Sequence, residues 1–248
     1  MLSAYLTQTE ALLQNPASST INLYTTADLT RYINIARGQM AGETGCIRAI
    51  GTIATVIAQQ QYNFSSINVG VPATTGIQAP LHVRRLTFNS GTGQLFVPGF
   101  AWEWFDLYYL NNAAPTQGVP VAWAQYAQGA APGATGSAAT GSFFINQPDQ
   151  VYTLNCDCAC YPIPLAADGD VEAIPYLWTD AVPYFAAYYA LLSAQTNARM
   201  NDALNYYKIY KEFIDRARTA SNPSVNRWQF EGTQDPVQAA KLGVKGAA

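Results

Sequence analysis

The chain has 248 residues, of which 49% are apolar and only 12% are charged, and its formal net charge is −3. Soluble domains usually carry about 25% charged residues, so this surface must be largely neutral and polar, which suits a subunit that meets other proteins. The densest basic pair is Arg84-Arg85, and this excludes a nucleic-acid interface built on clustered Lys and Arg.

The first residues lack the basic and apolar regions of a secretory signal, and no apolar run approaches the roughly 20 residues that a membrane-spanning helix needs. Four cysteines in a chain of this length fit a reducing compartment. We therefore expect a protein that is made and kept in the cytosol.

Helical periodicity marks the N-terminal region. The segment Thr7–Glu10 has the Thr-x-x-Glu pattern of a capping box for a first helix. A second helix is predicted to start at Thr25 or Thr26, because apolar residues recur after it at three- and four-residue spacing. Gly42 and Gly45 are predicted to stop that helix.

The central region changes to the alternating pattern of strands. A β-branched run at 50–57 predicts a strand, and 62–67 is predicted as its partner or successor. Residues 81–88 and 94–97 flank a Ser-Gly-Thr-Gly turn and predict a hairpin. Further strands are predicted at 118–126, 143–146 and 151–161. A short helix is predicted at 102–109, and the last helices at 175–196 and 198–220.

The order of helices, strands and helices predicts an α+β fold. The terminal helical regions, 1–45 and 175–220, are expected to pack as a bundle, with the mostly antiparallel β-rich region 46–174 inserted between them. Residues 1–220 would then form a single domain. Residues 221–248 show no helical or strand periodicity and are predicted to be an extended C-terminal tail.

Cys156, Cys158 and Cys160 alternate along a predicted strand, so their side chains share one face of it. A structural zinc site needs four ligands, usually in C-x₂₋₄-C pairs, and the other soft candidates are only Cys46 and His82. We therefore interpret the three cysteines as buried thiols that continue an apolar stripe, and we predict no metal site.

No group of residues has the pattern of a catalytic site. His82 is the single histidine, and no Gly-x-Ser-x-Gly motif accompanies it, so we interpret it as an ordinary sheet or surface residue. Glu103 and Asp106 lie one helical turn apart, and the stretch 168–172 is acidic, but such acids are normally solvated or act as caps. Neither a phosphate-binding glycine loop nor a dinucleotide fingerprint is present.

Aromatic residues cluster at 102–109 and 184–189. Such clusters can stack on sugars or bases, but no positive charge accompanies them, and we interpret them as core and subunit interface.

Four short motifs follow one another in the second half of the chain. A strand, a Pro-Asp turn and a second strand occupy 143–154, followed by Tyr161-Pro162-Ile163-Pro164-Leu165, then Asp168-Gly169-Asp170, then Ile174-Pro175-x-x-Trp178. In this order they resemble the head-to-tail adaptor, or connector, family of short-tailed bacteriophages. The cysteines and a Gly/Ala/Ser/Thr-rich loop at 127–142 depart from the common pattern of that family.

The resemblance implies a structural virion protein and not an enzyme. It implies a dodecameric ring between the portal protein and the tail, around a channel through which DNA passes without specific binding. It also implies docking surfaces for tail nozzle and fibre proteins, no cofactor, no membrane, and assembly in the host cytoplasm into the head-tail interface of the virion.

The predicted tail carries large side chains that a purely solvating segment does not need. Tails of similar adaptors order against the portal, and Arg227, Trp228 and Phe230 are accordingly predicted as portal-docking residues.

Two other functions stay open from the sequence. The same composition suits another tail component, such as a tail-tube or fibre-anchoring protein. A virion-associated glycan hydrolase that uses Glu103 or Asp170 is the second alternative, although the sequence shows no pocket for it.

Overall fold

A computed structural model of the chain describes residues 1–14, 23–89, 93–111, 117–127, 141–193 and 199–221. Within these ranges, helices and antiparallel strands form a mixed structure that is compatible with the predicted α+β class. The helices are α1 (Leu2–Leu13), α2 (Thr26–Thr44), α3 (Pro72–Thr75), α4 (Trp102–Phe105), α5 (Ala181–Ser193) and α6 (Met200–Ser221). The strands are β1 (Arg48–Ala54), β2 (Gln61–Asn63), β3 (Ile77–Asn89), β4 (Gln94–Val97), β5 (Trp123–Tyr126), β6 (Ser142–Ile145) and β7 (Thr153–Pro162).

The second helix begins and ends at the residues that its capping chemistry requires. Thr25 Oγ1 accepts a hydrogen bond from the backbone N–H of Asp28 at 3.1 Å and so satisfies a free donor of the first turn. The helix ends at Gly45, whose φ of 59° lies in the left-handed region that glycine adopts without strain. Gly42 lies inside the helix, so the prediction that it helps to stop α2 is wrong.

The predicted capping box of the first helix is also wrong. Helix α1 begins at Leu2, so Thr7 and Glu10 lie in its interior. Its backbone N–H groups at those positions bond within the helix, and a side-chain cap is not required there.

Four helices from the two ends of the chain pack against one another. Helix α5 contacts α1, α2 and α6, and α2 also contacts α1 and α6. The amphipathic pattern of α6 places Ala203, Tyr210, Ile214 and Ala217 in the core. Helix α5 starts at Ala181, and its Pro183 lies in the first turn, where a backbone N–H would have no partner inside the helix.

The larger sheet has the strand order β1-β7-β3-β4, and each neighbouring pair is antiparallel. Strands β3 and β4 form the predicted hairpin, with Leu86 opposite Val97. One face of this sheet lies in the main core, where Leu86, Phe88 and Leu154 are fully buried. Helix α2 packs against β7, so an inner strand of the larger sheet meets the helices.

The smaller sheet has the strand order β2-β6-β5. The segment predicted at 62–67 is therefore the successor of β1 and not its partner in a sheet, and it is a strand only as far as Asn63, because a 3-10 turn follows at Phe64–Ser66. One isolated bridge, between Thr52 and Asn68, joins β1 to the chain just after this segment. Strand β5 is shorter than predicted because the side chain of Asn146 holds the backbone before it. Its Nδ2 donates to Val119 O at 2.8 Å, and its Oδ1 accepts from Val121 N at 2.8 Å.

No helix among the described ranges is long and apolar enough to cross a membrane.

Candidate interaction surfaces

The three alternating cysteines lie on one face of β7, as the sequence predicts. Cys156, Cys158 and Cys160 are fully buried in the main core. Burial raises the pKa of Cys156 and of Cys160 to about 12, so these thiols are protonated at neutral pH. A protonated thiol is a poor nucleophile, and the three side chains pack as small apolar core residues.

Replacing Cys156, Cys158 and Cys160 with Ala is expected to lower the free energy of unfolding by roughly 1 kcal/mol each, because each change removes one buried sulfur atom. Denaturant unfolding of the three single variants checks this value. One equivalent of zinc per chain in elemental analysis of the wild-type protein would contradict the interpretation of these residues as core thiols.

His82 lies in β3, as predicted, and is partly buried. Burial is the main cause that lowers the pKa of this imidazole, and the nearby guanidinium of Arg84 lowers it further. Both causes favour the neutral form, so His82 is an uncharged member of the sheet at neutral pH.

The acidic stretch 168–172 has three different structural roles. Asp168 Oδ1 accepts from the Met1 amino group at 2.6 Å, and Asp170 Oδ2 accepts from the backbone N–H groups of Ala166 and Ala167 at 2.6 and 2.8 Å. These contacts agree with the expected loop and cap roles. Glu172 departs from that expectation, since its side chain is only 7% exposed.

Glu172 is buried because it forms an ion pair with a helical arginine. Arg37 of α2 is 1% exposed, and its Nε and Nη2 donate to the two carboxylate oxygens at 2.9 and 2.8 Å. Its Nη1 donates to Ile163 O at 2.6 Å, and the neighbouring Asn34 holds both backbone groups of Leu165. Helix α2 thus fixes the Pro-Ile-Pro-Leu segment that leaves β7.

The aromatic residues at 184–189 lie where α5 meets α6. Phe185 packs on Tyr210 with 4.7 Å between ring centroids, and Tyr188 packs on Tyr207 at 4.8 Å. Phe185 is buried, while Tyr189 is 38% exposed. Phe185 is thus the core member of this set, and Tyr184 and Tyr188 are partly buried against the core. The interpretation of the remaining exposed surface as a subunit interface stays a prediction.

The aromatic residues at 102–109 divide between a buried side and an exposed side. Phe105 is fully buried, and Trp102 packs on Phe144 of β6 with 4.7 Å between centroids. On the other side, Phe100 stacks on Trp104 at 4.1 Å, and Trp104 packs on Tyr108 at 4.6 Å. The core interpretation holds for the first side only.

The exposed side forms what we call the aromatic ridge, which consists of Phe100, Trp104, Leu107 and Tyr108. Leu107 is 66% exposed and Tyr108 is 56% exposed. The helix widens here, since α4 continues as a π-helical turn at Asp106–Leu110. Such turns are rare and occur often at functional positions. Contiguous exposed apolar surface of this kind is typical of sites that bind another molecule.

A second candidate surface lies on the outer face of the larger sheet. The strand register places Ile50, Asp157 and Arg85 side by side, and Thr52, Asn155 and Thr87 form the neighbouring row. Arg48 forms an ion pair with Asp157, and Arg85 lies 5.3 Å from the centre of the Phe96 ring. A groove of about 490 Å³ lies here, which we call the arginine groove, and its lining includes Arg48, Ile50, Arg85, Thr87, Asn155 and Asp157.

The other sequence-predicted acids are not gathered around a common cleft by any described contact. Glu103 lies on exposed helix surface, and Asp106 accepts a hydrogen bond from Asn111 Nδ2 at 3.1 Å. Asp170 belongs to the loop described above. Within the described part of the chain, no group of three His, Cys, Asp or Glu side chains is placed to hold a metal ion.

The predicted portal-docking residues Arg227, Trp228 and Phe230 lie outside the described residues, as does most of the Gly/Ala/Ser/Thr-rich loop at 127–142. The interaction surfaces that the structure adds are the aromatic ridge and the arginine groove. For the ridge, the sequence signal was a dense aromatic run with few flanking charges. The groove has no local signal because residues of four separate strands, β1, β3, β4 and β7, line it.

Comparison with known proteins adds no assignment, since no protein-family model matches the chain and no curated protein matches it significantly.

Proposed function

We propose that this chain is a head-to-tail adaptor of a short-tailed bacteriophage, a structural virion protein that forms a dodecameric ring between portal and tail around the DNA exit channel. The observation that carries the proposal is the aromatic ridge, an exposed apolar surface on a protein with very little charge. A surface of this kind favours a role in permanent contact with other protein subunits.

The motifs that carry the resemblance also occupy a connecting position in the fold. Arg37 and Asn34 hold the Pro-Ile-Pro-Leu segment through backbone contacts, and Glu172 of the acidic linker completes the ion pair with Arg37. These short motifs therefore join the sheet to the helices. The order of the four motifs along the chain supports the proposal, and two of them, the Pro-Ile-Pro-Leu segment and the acidic linker, have defined contacts in the fold.

In this proposal the packed helices α1, α2, α5 and α6 form the bundle of the adaptor, and the residues after α6 form its docking tail. The partners are further copies of the chain, the portal protein, the tail nozzle and fibre proteins. DNA passes the ring without specific contacts, and no cofactor takes part. The protein assembles in the host cytoplasm and resides at the head-tail interface of the virion.

Deletion of the residues after Ala220 is expected to weaken binding to the portal protein while the folded part keeps its circular dichroism spectrum. The physical reason is that a segment with few large side chains gains its specificity from anchors such as Trp228 and Phe230. Binding to immobilised portal measures the effect, and the paired change W228A with F230A is the matched variant at full length. Equal portal affinity of the truncated and complete chains would rule out the docking tail.

Another tail component is the second candidate, because the aromatic ridge fits a tail-tube or fibre-anchoring protein as well. Twelve copies in contact with portal distinguish the adaptor from that candidate.

A glycan hydrolase gains less support, since two backbone N–H groups lower the pKa of Asp170, whereas a general acid needs a raised pKa. Loss of a measured glycan-cleaving activity in E103Q or D170N would favour the hydrolase.

A further inference from the structure

The basic residues of this chain are distributed very unevenly. Residues 86–198 contain eight acids and not a single Lys, Arg or His. The aromatic ridge lies inside this segment, with Glu103 exposed beside Trp104 and with Asp106 one turn further on. The ridge is thus an apolar surface whose only charged neighbours in sequence are negative.

The arginine groove offers the complementary chemistry. Arg48 and Arg85 line it together with Asp157, which leaves an excess of one positive charge over these three side chains. Within the described part of the chain Arg85 has no ion pair, and its guanidinium lies over the ring of Phe96 instead. Ile50, 74% exposed, supplies apolar surface at the same place.

Ring faces beside carboxylates attract guanidinium groups, and the stacking of Arg85 on Phe96 shows this preference inside a single chain. The groove is too weakly positive to hold DNA, because phosphate binding needs several unpaired cations in a row. A surface that presents aromatic rings and carboxylates together matches the groove better than either a nucleic acid or a purely apolar segment does.

We propose that the aromatic ridge of one copy of this chain seats in the arginine groove of the next copy. Arg85 then lies against the ring faces of the ridge and close to Glu103, while Ile50 packs against Leu107. Because the two surfaces differ, the contact is head-to-tail, and it generates a closed ring when the rotation between copies closes. The inference rests on the proposed adaptor function, for which it names the surfaces that join the subunits.

Sedimentation velocity of the full chain and two variants tests this arrangement. The groove variant carries R85E, and the ridge variant carries L107S with Y108S, all at exposed positions. The wild-type chain is expected to form oligomers larger than a dimer, and each variant alone is expected to associate at least about tenfold more weakly. Mixing the two variants should give one-to-one heterodimers that do not grow further, since only one intact ridge and one intact groove are present.

Two matched controls accompany the experiment. R31E makes the same charge change on the exposed side of α2, and Y176A removes an aromatic side chain that is 83% exposed outside the ridge. Both are expected to assemble like wild type. Circular dichroism of every variant verifies that a loss of assembly is not a loss of fold.

Several outcomes overturn the inference, and they differ from a failure of the adaptor function. Wild-type chain that stays monomeric overturns it, as do variants that assemble like wild type or variant mixtures that form no heterodimers. Loss of binding to duplex DNA by R85E with unchanged assembly would make the groove a nucleic-acid site instead. Oligomers that persist in both variants and still bind portal leave the adaptor function standing, with other surfaces joining the ring.

Discussion

Replacing Arg37 with Met is expected to lower the free energy of unfolding by about 3 to 5 kcal/mol, because it leaves the Glu172 carboxylate buried without its partner. Arg37 donates to both oxygens of that carboxylate and to Ile163 O, and its side chain is almost completely buried. The backbone N–H of Ile174 still donates to Glu172, but no cation is then left to balance the buried carboxylate among the described ion pairs. Chemical denaturation with a fluorescence readout measures the change.

Two further variants separate the ion pair from a general effect on α2. R31M alters an exposed arginine of the same helix and is expected to cost less than about 1 kcal/mol. The double variant R37M with E172L removes both charges, and it is expected to be more stable than R37M alone. A double variant that is less stable than R37M would contradict the account of a buried ion pair.

Replacing Leu154 with Ala is expected to cost about 2 to 5 kcal/mol, the usual range for a fully buried leucine that leaves a cavity. Leu154 is 0% exposed and lies in the inner strand β7, opposite Ile53 of β1 and Phe88 of β3. The cavity would therefore open between three strands of one sheet, where the backbone hydrogen bonds prevent collapse. Thermal and denaturant unfolding of L154A give the value.

The matched control for this change is L177A, since Leu177 is 75% exposed in the turn before α5. Its effect on the free energy of unfolding is expected to stay within about 0.5 kcal/mol. A cost of less than 1 kcal/mol for L154A would mean that the packing of the larger sheet differs from the one described.

Sequence periodicity predicted the elements in which local chemistry decides the structure. The Thr25 cap and the apolar spacing located α2, a glycine-rich turn located the β3–β4 hairpin, and alternation placed Cys156 and its neighbours on the buried face of β7. Each of these signals arises within about 20 residues of the chain, where the periods of helix and strand are directly visible.

The sequence did not predict which distant segments and side chains pair with one another. Strand β2, at the start of the 62–67 segment, pairs with β6, which lies about 80 residues later, and its sequence contains nothing that specifies that partner. Arg37 and Glu172 are 135 residues apart, and each alone looks like a solvated charge. One signal was present, since Arg37 lies four residues after Ile33 on the apolar stripe of α2, a position that favours burial with a partner.

The candidate surfaces show the same difference between local features, which the sequence predicts, and long-range features, which it does not. The sequence marked the aromatic run at 102–109, but it did not show which side chains face out, because the π-helical turn at 106–110 changes the helical spacing. The arginine groove was missed entirely, since Arg48, Arg85 and Asp157 come from three strands that only the sheet register brings together.

The central claim, that the chain is a ring-forming adaptor bound to portal, is tested most directly by mass photometry of the purified protein with and without the portal protein of the same phage. The account predicts one complex in which a portal ring has gained the mass of twelve chains of 26.9 kDa each. A portal ring whose mass is unchanged by an excess of this chain would contradict the adaptor function.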